Sequence, residues 1–414
     1  MPVATTVDAL DFPALIRPGS MVCWGQAAAE PLVLTRALMA QRAEIGSFDA
    51  FIGIGWSETA DPAFADHVRF HSYCATGMNR RLAAAGCLQI LPSHYSALPG
   101  LLAGRVDVLL LQLAPADAEG RYSMAAACEY LRPLVDTARL VIAEINDQAP
   151  CVPGPDFLTD ADLDIVVHSS RPLPEMPSPA AGSTEERIAQ TIAGLVEDGA
   201  VLQIGLGSLP ERILKALHDH RDLGIHSGLM CDAMVDLIEG GAITNARKLL
   251  DTGTSVTGLL AGGRRLMDFA HLNPSIALRQ TAYTHGLGVL AQLDRFTAIN
   301  SAIEVDLTGQ INAEEVGGRY VGAVGGAADF LRGAHRAKRG LPITALPATA
   351  KGPAGPTSRI VTKLNGPVTT SRADAGIIVT EHGSADLRGL SLSERRTRLI
   401  AIAAPEFREE LAQG

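Results

Sequence analysis

The stretch DLGIHSGLMCDAMVDLIEGGAITNARK, residues 222–248, decides the fold of this chain. It opens on a short apolar run that ends in His226-Ser227-Gly228, a pattern that predicts a strand running into a turn. Apolar residues then recur at helical spacing from Met230 to Ile238, which predicts a helix. Gly240-Gly241 predict the helix end, because glycine readily adopts the left-handed turn that closes a helix. A strand end that meets a helix start is where parallel α/β proteins place their chemistry, so we expect a functional site near this point.

Strands and helices alternate on both sides of this stretch. Apolar runs predict strands at 48–56, 88–91, 106–113, 140–145, 163–167, 200–204, 255–260, 297–300, 343–346 and 375–379. Helical spacing predicts helices around 79–85, 98–103, 129–137 and 185–198. Alternation at this spacing is typical of an α/β fold whose parallel sheets carry helices on both faces.

The length of the chain and one proline-rich segment predict two domains. A chain of 414 residues is longer than a single ordinary core requires. Residues 169–184, SSRPLPEMPSPAAGST, contain four prolines and no apolar periodicity, which predicts an exposed, extended linker. The strand–helix alternation restarts after it. We therefore predict an N-terminal α/β domain over residues 1–175 and a C-terminal α/β domain of similar size over residues 176–414.

Composition excludes several classes of function. A hydrophobic content of 47% with 19% charged residues describes a soluble globular protein, and no apolar run is long enough to cross a membrane. A net charge of −10 argues against a nucleic-acid partner but leaves room for a small anionic ligand. The six cysteines form no CxxC pair and no cluster with histidine, so we expect neither disulfides nor a metal site. The N-terminus lacks a signal-peptide pattern, which together with the cysteines favours the cytoplasm.

Two glycine motifs stand where a strand leads into a helix. Gly205-x-Gly207 precedes the helical sequence ERILKAL, and Gly325-Gly326 precedes a helix that starts at Ala327. Glycines at such a point expose backbone amides that bind phosphates or oxyanions, and they let a ligand approach closely. The third glycine of a dinucleotide fingerprint is absent from the first motif, so NAD binding is not predicted. A tight strand–helix turn explains that motif equally well.

Other candidate residues are polar side chains set among apolar ones. The phrase INSAIEVDLTGQINAE, residues 299–314, contains Asn300 and Glu304, which either line a site or satisfy buried backbone groups. His226 ends a predicted strand and is either a catalytic acid–base group or a structural histidine. Both pairs of alternatives stay open at the level of sequence.

Several longer phrases are similar to those of one enzyme family. They are VDVLLLQLAPADAEGRYSM (106–124), INSAIEVDLTGQINAE (299–314), ALPATAKGPAGPTSRIV (345–361), VTTSRADAGIIVTEHGSADLRG (368–389) and APEFREEL (404–411). In these phrases the chain resembles the acetyl-CoA hydrolase/transferase family, which includes enzymes like 4-hydroxybutyrate CoA-transferase. The similarity runs from about residue 15 to about residue 412.

The resemblance implies a fold, a substrate and a set of binding residues. It implies two related α/β domains with a CoA site in the cleft between them, commonly in a homo-oligomer such as a homodimer. CoA or acyl-CoA is then a substrate rather than a tightly bound cofactor, and a small carboxylic acid is the second substrate. Asn300, Gly325 and Gly326 match family positions near bound CoA, and we add Gly205, Gly207 and Gly228 as candidate binding residues.

One family position differs in this chain. In the family the tripeptide at 226–228 usually ends in a glutamate that attacks the acyl-CoA thioester, whereas here the matching residue is Gly228. Three interpretations follow. Another acid, Glu304 first and Glu30 second, is the nucleophile of a CoA-transferase; water activated by His226 or a carboxylate hydrolyses the thioester; or the chain binds acyl-CoA without turnover. We expect an enzyme that moves CoA between short carboxylic acids.

Overall fold

The computed structural model describes residues 1–175, 182–352 and 355–414. The chain forms two compact units. The first unit contains residues 1–175, 228–232 and 256–284, and the second contains the remaining described residues. The second half of the sequence therefore contributes two short segments to the first unit, and one of them starts at Gly228. The predicted domain division at residue 175 stays a prediction.

The strands, in chain order, are β1 (Val3–Thr5), β2 (Met21–Trp24), β3 (Phe48–Phe51), β4 (Val68–Ser72), β5 (Leu88–Ile90), β6 (Val106–Leu113), β7 (Leu140–Asn146), β8 (Ile165–Ser169), β9 (Val201–Ile204), β10 (Gly224–Ile225), β11 (Leu229–Met230), β12 (Ser255–Thr257), β13 (Leu259–Leu260), β14 (Ile276–Leu278), β15 (Phe296–Ser301), β16 (Glu304–Asp306), β17 (Ile311–Asn312), β18 (Glu315–Val316), β19 (Arg319–Tyr320), β20 (Leu341–Ala345), β21 (Thr349–Gly352), β22 (Gly355–Ser358), β23 (Ile360–Val361), β24 (Ile377–Thr380) and β25 (Gly383–Asp386). The α-helices are α1 (Phe12–Leu15), α2 (Leu32–Ile45), α3 (Asn79–Ala84), α4 (Leu98–Leu102), α5 (Leu131–Val135), α6 (Ser183–Ala193), α7 (Ser208–Ala216), α8 (Asp232–Glu239), α9 (Arg264–Ala270), α10 (Thr281–Thr284), α11 (Leu287–Leu290), α12 (Ala327–Arg336), α13 (Leu392–Ala401) and α14 (Arg408–Gln413).

The first unit is built on an eight-stranded sheet in the order β1-β8-β7-β6-β2-β3-β4-β5. All of its neighbouring strands run parallel. Central strands of such a sheet are covered on both faces, which explains why β6, VDVLLLQL, is mostly apolar and lacks regular alternation. Aromatic and aliphatic side chains from β2, β3, β4 and α2 fill the core on one side, among them Trp24, Phe48 and Phe70.

The second unit is built on a six-stranded sheet in the order β10-β9-β15-β20-β24-β25. Its strands pair in parallel except at the edge, where β24 and β25 form an antiparallel pair. One core cluster packs Phe296 and Phe330 between the sheet and α12, and a second gathers Ile378, Leu399 and their neighbours. The predicted α/β class with parallel sheets is confirmed.

The differences from the predicted elements are short. The helix predicted from Met230 begins at Asp232, because Leu229 and Met230 pair with β13 instead. The helix predicted over 129–137 covers only Leu131–Val135. The N-terminal part of the predicted linker is also ordered, since β8 reaches Ser169 and the Arg171 side chain is paired with Glu144. At the other end of the predicted linker, Ser183 and Thr184 begin α6, and residues 176–181 lie outside the described residues.

Three general properties complete the description. Across the described part of the chain, no helix has the length and apolar character that crossing a membrane requires. All six cysteines are free thiols. In the same described ranges, no group of three or more histidine, cysteine, aspartate and glutamate side chains is placed to hold a metal ion.

Candidate active site

The carboxyl edge of the second unit's sheet gathers three of the predicted site positions. Strands β10, β9 and β15 are neighbours and run parallel, so their carboxyl ends lie side by side. His226 directly follows β10, Gly205 directly follows β9, and Asn300 lies near the end of β15. Open parallel sheets bind ligands at this edge.

An amide pair ties two of these strand ends together. The Asn300 Nδ2 atom donates to Oε1 of Gln203 at 3.1 Å, and Gln203 Nε2 donates back to Asn300 Oδ1 at 3.4 Å. The reciprocal pair fixes the orientation of both amides, because each group is donor and acceptor to the other. Asn300 is therefore held by its neighbour on β9 and keeps part of its surface exposed.

His226 and the second glycine motif share a neighbour, His285. His226 is fully buried, and its backbone N–H donates to the Leu202 carbonyl at 3.0 Å. Burial, and to a smaller extent the neighbouring His226, lowers the pKa of His285 to about 3, so the His285 imidazole is neutral at physiological pH. The predicted residues His226 and Gly326 therefore both lie against one neutral histidine.

The glycine pair at the start of α12 is required by geometry. A Cβ atom at Gly326 would stand 2.7 Å from His285 Nε2 and 3.1 Å from the Phe330 ring. Gly325 has φ +55°, in the left-handed region that disfavours other residues. The two glycines thus bring the N-terminus of α12 against His285, as a close strand–helix connection requires.

The first glycine motif has more room. A Cβ atom at Gly205 would meet no heavy atom of the described residues within 4 Å, and its backbone is not in the left-handed region. Gly207, by contrast, has φ +125° and directly precedes α7. Backbone strain therefore explains Gly207, whereas neither strain nor packing explains the absence of a side chain at Gly205.

This difference makes Gly205→Ala a clean probe of ligand binding. We expect its melting temperature to match that of the wild-type protein, because the added methyl group meets open space. If a ligand approaches the backbone at Gly205, the KM of the Gly205→Ala variant for acyl-CoA should rise about tenfold, which is equivalent to about 1.4 kcal/mol. Steady-state kinetics beside thermal denaturation measures both quantities. Gly100→Ala in α4 is the control, because a Cβ atom there also meets nothing within 4 Å and its KM should not change. An unchanged KM in Gly205→Ala would mean that Gly205 is a turn residue only.

The predicted nucleophile Glu304 lies in β16, outside the six-stranded sheet. Its carboxylate accepts four hydrogen bonds: from Nδ2 of Asn312 at 3.1 Å, from the backbone N of Asn365 at 2.7 Å and its Nδ2 at 3.0 Å, and from the backbone N of Gly366 at 3.1 Å. These bonds join β16 to β17 and to the turn at Asn365. None of the donors belongs to the group around Asn300 and His226. Catalysis by Glu304 stays a prediction.

The second candidate acid, Glu30, is held in the first unit. It is buried, and Oε1 accepts from the hydroxyl groups of Thr35 and Thr59. Burial raises the pKa of Glu30, and the hydrogen bonds from Thr59, Ser57 and Thr35 oppose that rise. The Glu30 carboxylate is therefore hydrogen-bonded by hydroxyl groups, as the Glu304 carboxylate is hydrogen-bonded by amides.

A third acid, Glu129, is buried in a polar group that the sequence did not reveal. Gln26 Nε2 donates to both carboxylate oxygens of Glu129, at 2.9 and 2.8 Å, and contacts the Tyr95 hydroxyl at 2.8 Å. Gln26 Oε1 in turn accepts from the Tyr73 hydroxyl at 2.9 Å and from the backbone N of Ile54 at 2.9 Å. We call Gln26, Tyr73, Tyr95 and Glu129 the Glu129 group.

The Glu129 group lies at the carboxyl edge of the eight-stranded sheet. Gln26 follows the end of β2, Ile54 follows β3, Tyr73 follows β4, and Tyr95 comes shortly after β5. These strands are consecutive in the sheet and parallel, so the polar side chains converge at one edge. The ring centroids of Tyr73 and Tyr95 are 5.2 Å apart in an edge-to-face arrangement that fixes both hydroxyl groups.

The backbone at Glu129 runs beside Gly228. The Gly258 N–H donates to the Gly228 carbonyl at 3.2 Å, and the Gly258 carbonyl accepts from the N–H of Cys128 at 3.0 Å. A Cβ atom at Gly258 would lie 3.1 Å from the Gly228 oxygen and 3.3 Å from Glu129 Cγ. Glu129 itself has φ +38°, an uncommon value for a residue with a side chain. The Gly228 carbonyl oxygen and the Glu129 side chain are thus both close neighbours of Gly258.

Burial determines the charge of Glu129. Loss of hydration raises its pKa to about 8, and the hydrogen bonds from Gln26 and Tyr95 only partly oppose this rise. The carboxyl group is therefore mostly protonated at pH 7. The sequence offered one signal for this site, a glutamate beside the buried run AAAC, but its partners are far away along the chain.

Comparisons with known proteins agree with the fold and the motifs. Residues 7–177 match the acetyl-CoA hydrolase/transferase N-terminal domain, and residues 262–414 match the acetyl-CoA hydrolase/transferase C-terminal domain. The chain is 35% identical to the 4-hydroxybutyrate coenzyme A transferase of Clostridium kluyveri, over 95% of this chain and 92% of that protein.

Solved structures give the same result. The crystal structure of RipA from Yersinia pestis superposes with a TM-score of 0.92 at 34% identity, covering 99% of this chain and 96% of that one. The 4-hydroxybutyrate CoA-transferase structure from Porphyromonas gingivalis superposes with a TM-score of 0.82 at 31% identity, with the same coverage.

Fold, motifs and relatives together define an α/β enzyme of the CoA-transferase or acyl-CoA hydrolase type. The chain belongs to the acetyl-CoA hydrolase/transferase family.

Proposed function

We propose that this protein moves CoA between short carboxylic acids, with an acyl-CoA and a small carboxylic acid as its substrates. The observation that carries the proposal is the 35% identity, over 95% of the chain, to an enzyme named for CoA transfer. The open backbone at Gly205 and the helix start at Gly326 support it, because exposed amides bind phosphates and oxyanions.

The proposed binding residues divide into two sets. In the second unit we assign CoA binding to Gly205, Gly207, Asn300, Gly325 and Gly326, with His226 behind them as a positioning or acid–base group. The helix start at Gly326 supports this assignment, because the exposed backbone amides of a helix N-terminus bind anions. In the first unit we assign substrate contact to Gly228, whose carbonyl oxygen and the Glu129 side chain both lie close to Gly258.

Hydrolysis is the second candidate function. It is favoured by one feature, the absence of a carboxylate at residue 228, because a site without a covalent intermediate can still direct water to a thioester. The two reactions differ in their need for an acceptor acid. Transfer requires a second carboxylic acid, whereas hydrolysis releases the thiol without one.

An acyl-exchange assay distinguishes these functions. The purified protein is incubated with a panel of acyl-CoAs, with and without acetate or succinate, while free thiol and newly formed acyl-CoA are followed. We expect new acyl-CoA only in the presence of an acceptor. Thiol release that ignores the acceptor would instead identify a hydrolase. A rise in melting temperature with acyl-CoA but no turnover would leave a binding protein, because a ligand that binds only the folded state stabilises it.

We further propose the working state of the enzyme. It acts in the cytoplasm, as a homo-oligomer such as a homodimer, without a tightly bound cofactor and without a nucleic-acid or membrane partner. The six free thiols support a reducing compartment, and the net charge of −10 supports the absence of nucleic acid. Light scattering of the purified protein tests the oligomer, and its absorbance spectrum with elemental analysis tests for a bound cofactor.

A further inference from the structure

We propose that Glu129 is the nucleophile of this enzyme, placed beside Gly228 in the first unit. The inference rests on the proposed acyl-CoA function and goes beyond it by naming the reacting group. It is carried by three observations: the position of Glu129 at a sheet edge, its closeness to Gly228, and the kind of partners that its carboxyl group has.

Position is the first observation. The partners of Glu129 come from the segments that follow β2, β3, β4 and β5, so its carboxyl group lies at the carboxyl edge of a parallel sheet. A Cβ atom at Gly258 would lie 3.1 Å from the Gly228 oxygen and 3.3 Å from Glu129 Cγ, so the Glu129 side chain comes close to the backbone of Gly228.

The partners of Glu129 are the second observation: they set it apart from Glu144, whereas Glu30 and Glu304 also have neutral donors and differ from Glu129 in lying away from Gly258 and Gly228. Glu144 is paired with Arg171, Glu304 accepts four hydrogen bonds, and Glu30 is held by threonine hydroxyls. Among the described residues, the donors to Glu129 are only Gln26 and the Tyr95 hydroxyl, both neutral. Once the Glu129 carboxyl group has lost its proton, no cationic side chain in the described part of the chain neutralises the carboxylate. It therefore remains a strong nucleophile.

The left-handed backbone is the third observation. Glu129 has φ +38°, and its carbonyl accepts from the Thr281 N–H at 3.1 Å while Cys128 is bonded to Gly258. Uncommon backbone conformations that surrounding contacts hold in place occur preferentially at functional sites. Here the contacts aim the side chain at Gln26 instead of letting the residue join helix α5, which starts two residues later.

The chemistry balances without a further reactant. An oxygen of the ionised Glu129 carboxylate attacks the thioester carbonyl carbon, the C–S bond breaks, and CoA leaves as its thiolate, which gives a mixed anhydride. The thiolate then attacks the Glu129 carbonyl carbon and the anhydride C–O bond breaks. The first acid leaves as a carboxylate, and CoA remains as a thioester on Glu129. An incoming carboxylate reverses both steps and leaves as the new acyl-CoA.

Ionisation of Glu129 should control the rate. Burial holds its pKa near 8, so the reactive fraction rises with pH through that value. The titratable groups that face it are Tyr73, Tyr95, Tyr130 and Cys128, whose pKa values are all raised by burial, so they stay neutral in this range. kcat should therefore increase towards a plateau above pH 8.

Peptide mapping tests the proposal directly. The protein is incubated with acyl-CoA without an acceptor, digested with trypsin under reducing conditions, and searched for a CoA thioester by mass spectrometry. The tryptic peptide 122–139 contains Glu129 as its single glutamate, and Glu304 falls in the separate peptide 296–319. Cys128 is adjacent to Glu129, so the Cys128→Ala variant separates a glutamyl adduct from one on the thiol.

We expect the adduct on peptide 122–139 in the wild-type protein and in Cys128→Ala, and its loss in Glu129→Gln. We also expect Glu129→Gln to lower the exchange rate at least about a thousandfold. A melting curve establishes that the variant is folded, and Glu304→Gln is the comparison variant. An adduct on peptide 296–319, or unchanged exchange in Glu129→Gln, would overturn the proposal while leaving CoA transfer intact. A wild-type protein that exchanges no acyl group with any acceptor would overturn the proposed function, and this inference with it.

Discussion

At pH 8 the Glu129→Gln variant should be more stable than the wild-type protein, although at pH 5 the two should differ little. The physical reason is the raised pKa of a buried carboxyl group. Below about pH 4.5, its ordinary pKa, the folded and unfolded states both hold the proton. Above that value the unfolded chain releases it, whereas the folded protein keeps it until about pH 8.

The size of the effect follows from this window. The wild-type free energy of unfolding should fall by about 1.4 kcal/mol for each pH unit across it, because one more proton is bound in the folded state. By pH 8 the loss should reach on the order of 4 kcal/mol. Glutamine has nearly the shape of the protonated side chain and does not ionise, so the variant should lack this part of the pH dependence.

Urea denaturation at pH 5, 6, 7 and 8 measures the effect. The matched control is Glu58→Gln, because the side chain of Glu58 is 59% exposed and its pKa is lowered by Arg36. That variant should follow the wild-type slope. If the free energy of unfolding changed with pH in the same way for Glu129→Gln and the wild-type protein, Glu129 would be ionised in the folded state across this range. The rise expected for kcat would then occur at lower pH as well.

Arg171→Met should destabilise the protein by about 3–5 kcal/mol. Glu144 is fully buried, and its carboxylate accepts from Arg171 Nε at 2.7 Å, the Ser169 hydroxyl at 2.7 Å and the Val33 N–H at 3.1 Å. Arg171 also donates to the Glu30 carbonyl and to Gln112, each at 2.8 Å. Removing the guanidinium therefore leaves a buried negative charge without a cation and several acceptors without donors.

Two further variants separate charge from packing in this result. Adding Glu144→Gln to Arg171→Met should recover part of the loss, because the neutral amide no longer needs a counter-ion. Arg36→Met removes the exposed pair with Glu58 and should change the free energy of unfolding by less than about 1 kcal/mol. Equal effects of Arg171→Met and Arg36→Met in chemical denaturation would show that burial of the Glu144 pair does not matter.

The sequence predicted the parallel sheets of both units and two of the strand–helix connections. Mostly apolar runs such as Val106–Leu113, spaced between helical segments, are typical of strands covered on both faces, so the parallel sheets were predicted from local patterns and their order along the chain. The glycine pairs before α7 and α12 marked strand–helix connections for the same reason, since backbone conformation is a local property. The family resemblance supplied the substrate class.

The sequence could not rank the acids. Asn300 and Glu304 are four residues apart in one motif and were grouped together, yet Asn300 pairs with β9 while Glu304 is bonded to Asn312 and the turn at Asn365. Which neighbour a side chain meets depends on strand order. Strand order is set by packing over the whole sheet, which no local pattern records.

Glu129 shows this limit most clearly. Its sequence context, CEYLRPL, predicted the first turn of a helix, and the one signal of burial was the apolar run AAAC before it. Only the tertiary structure brings Gln26, from 103 residues earlier, onto its carboxylate, and places Gly258 between it and Gly228. The sequence by itself determined the strands, the helices and the class of enzyme, because these depend on short-range periodicity and shared motifs. Only the folded chain determined that Glu129 is buried among neutral partners close to Gly258, because burial and pKa are properties of surroundings that distant segments create.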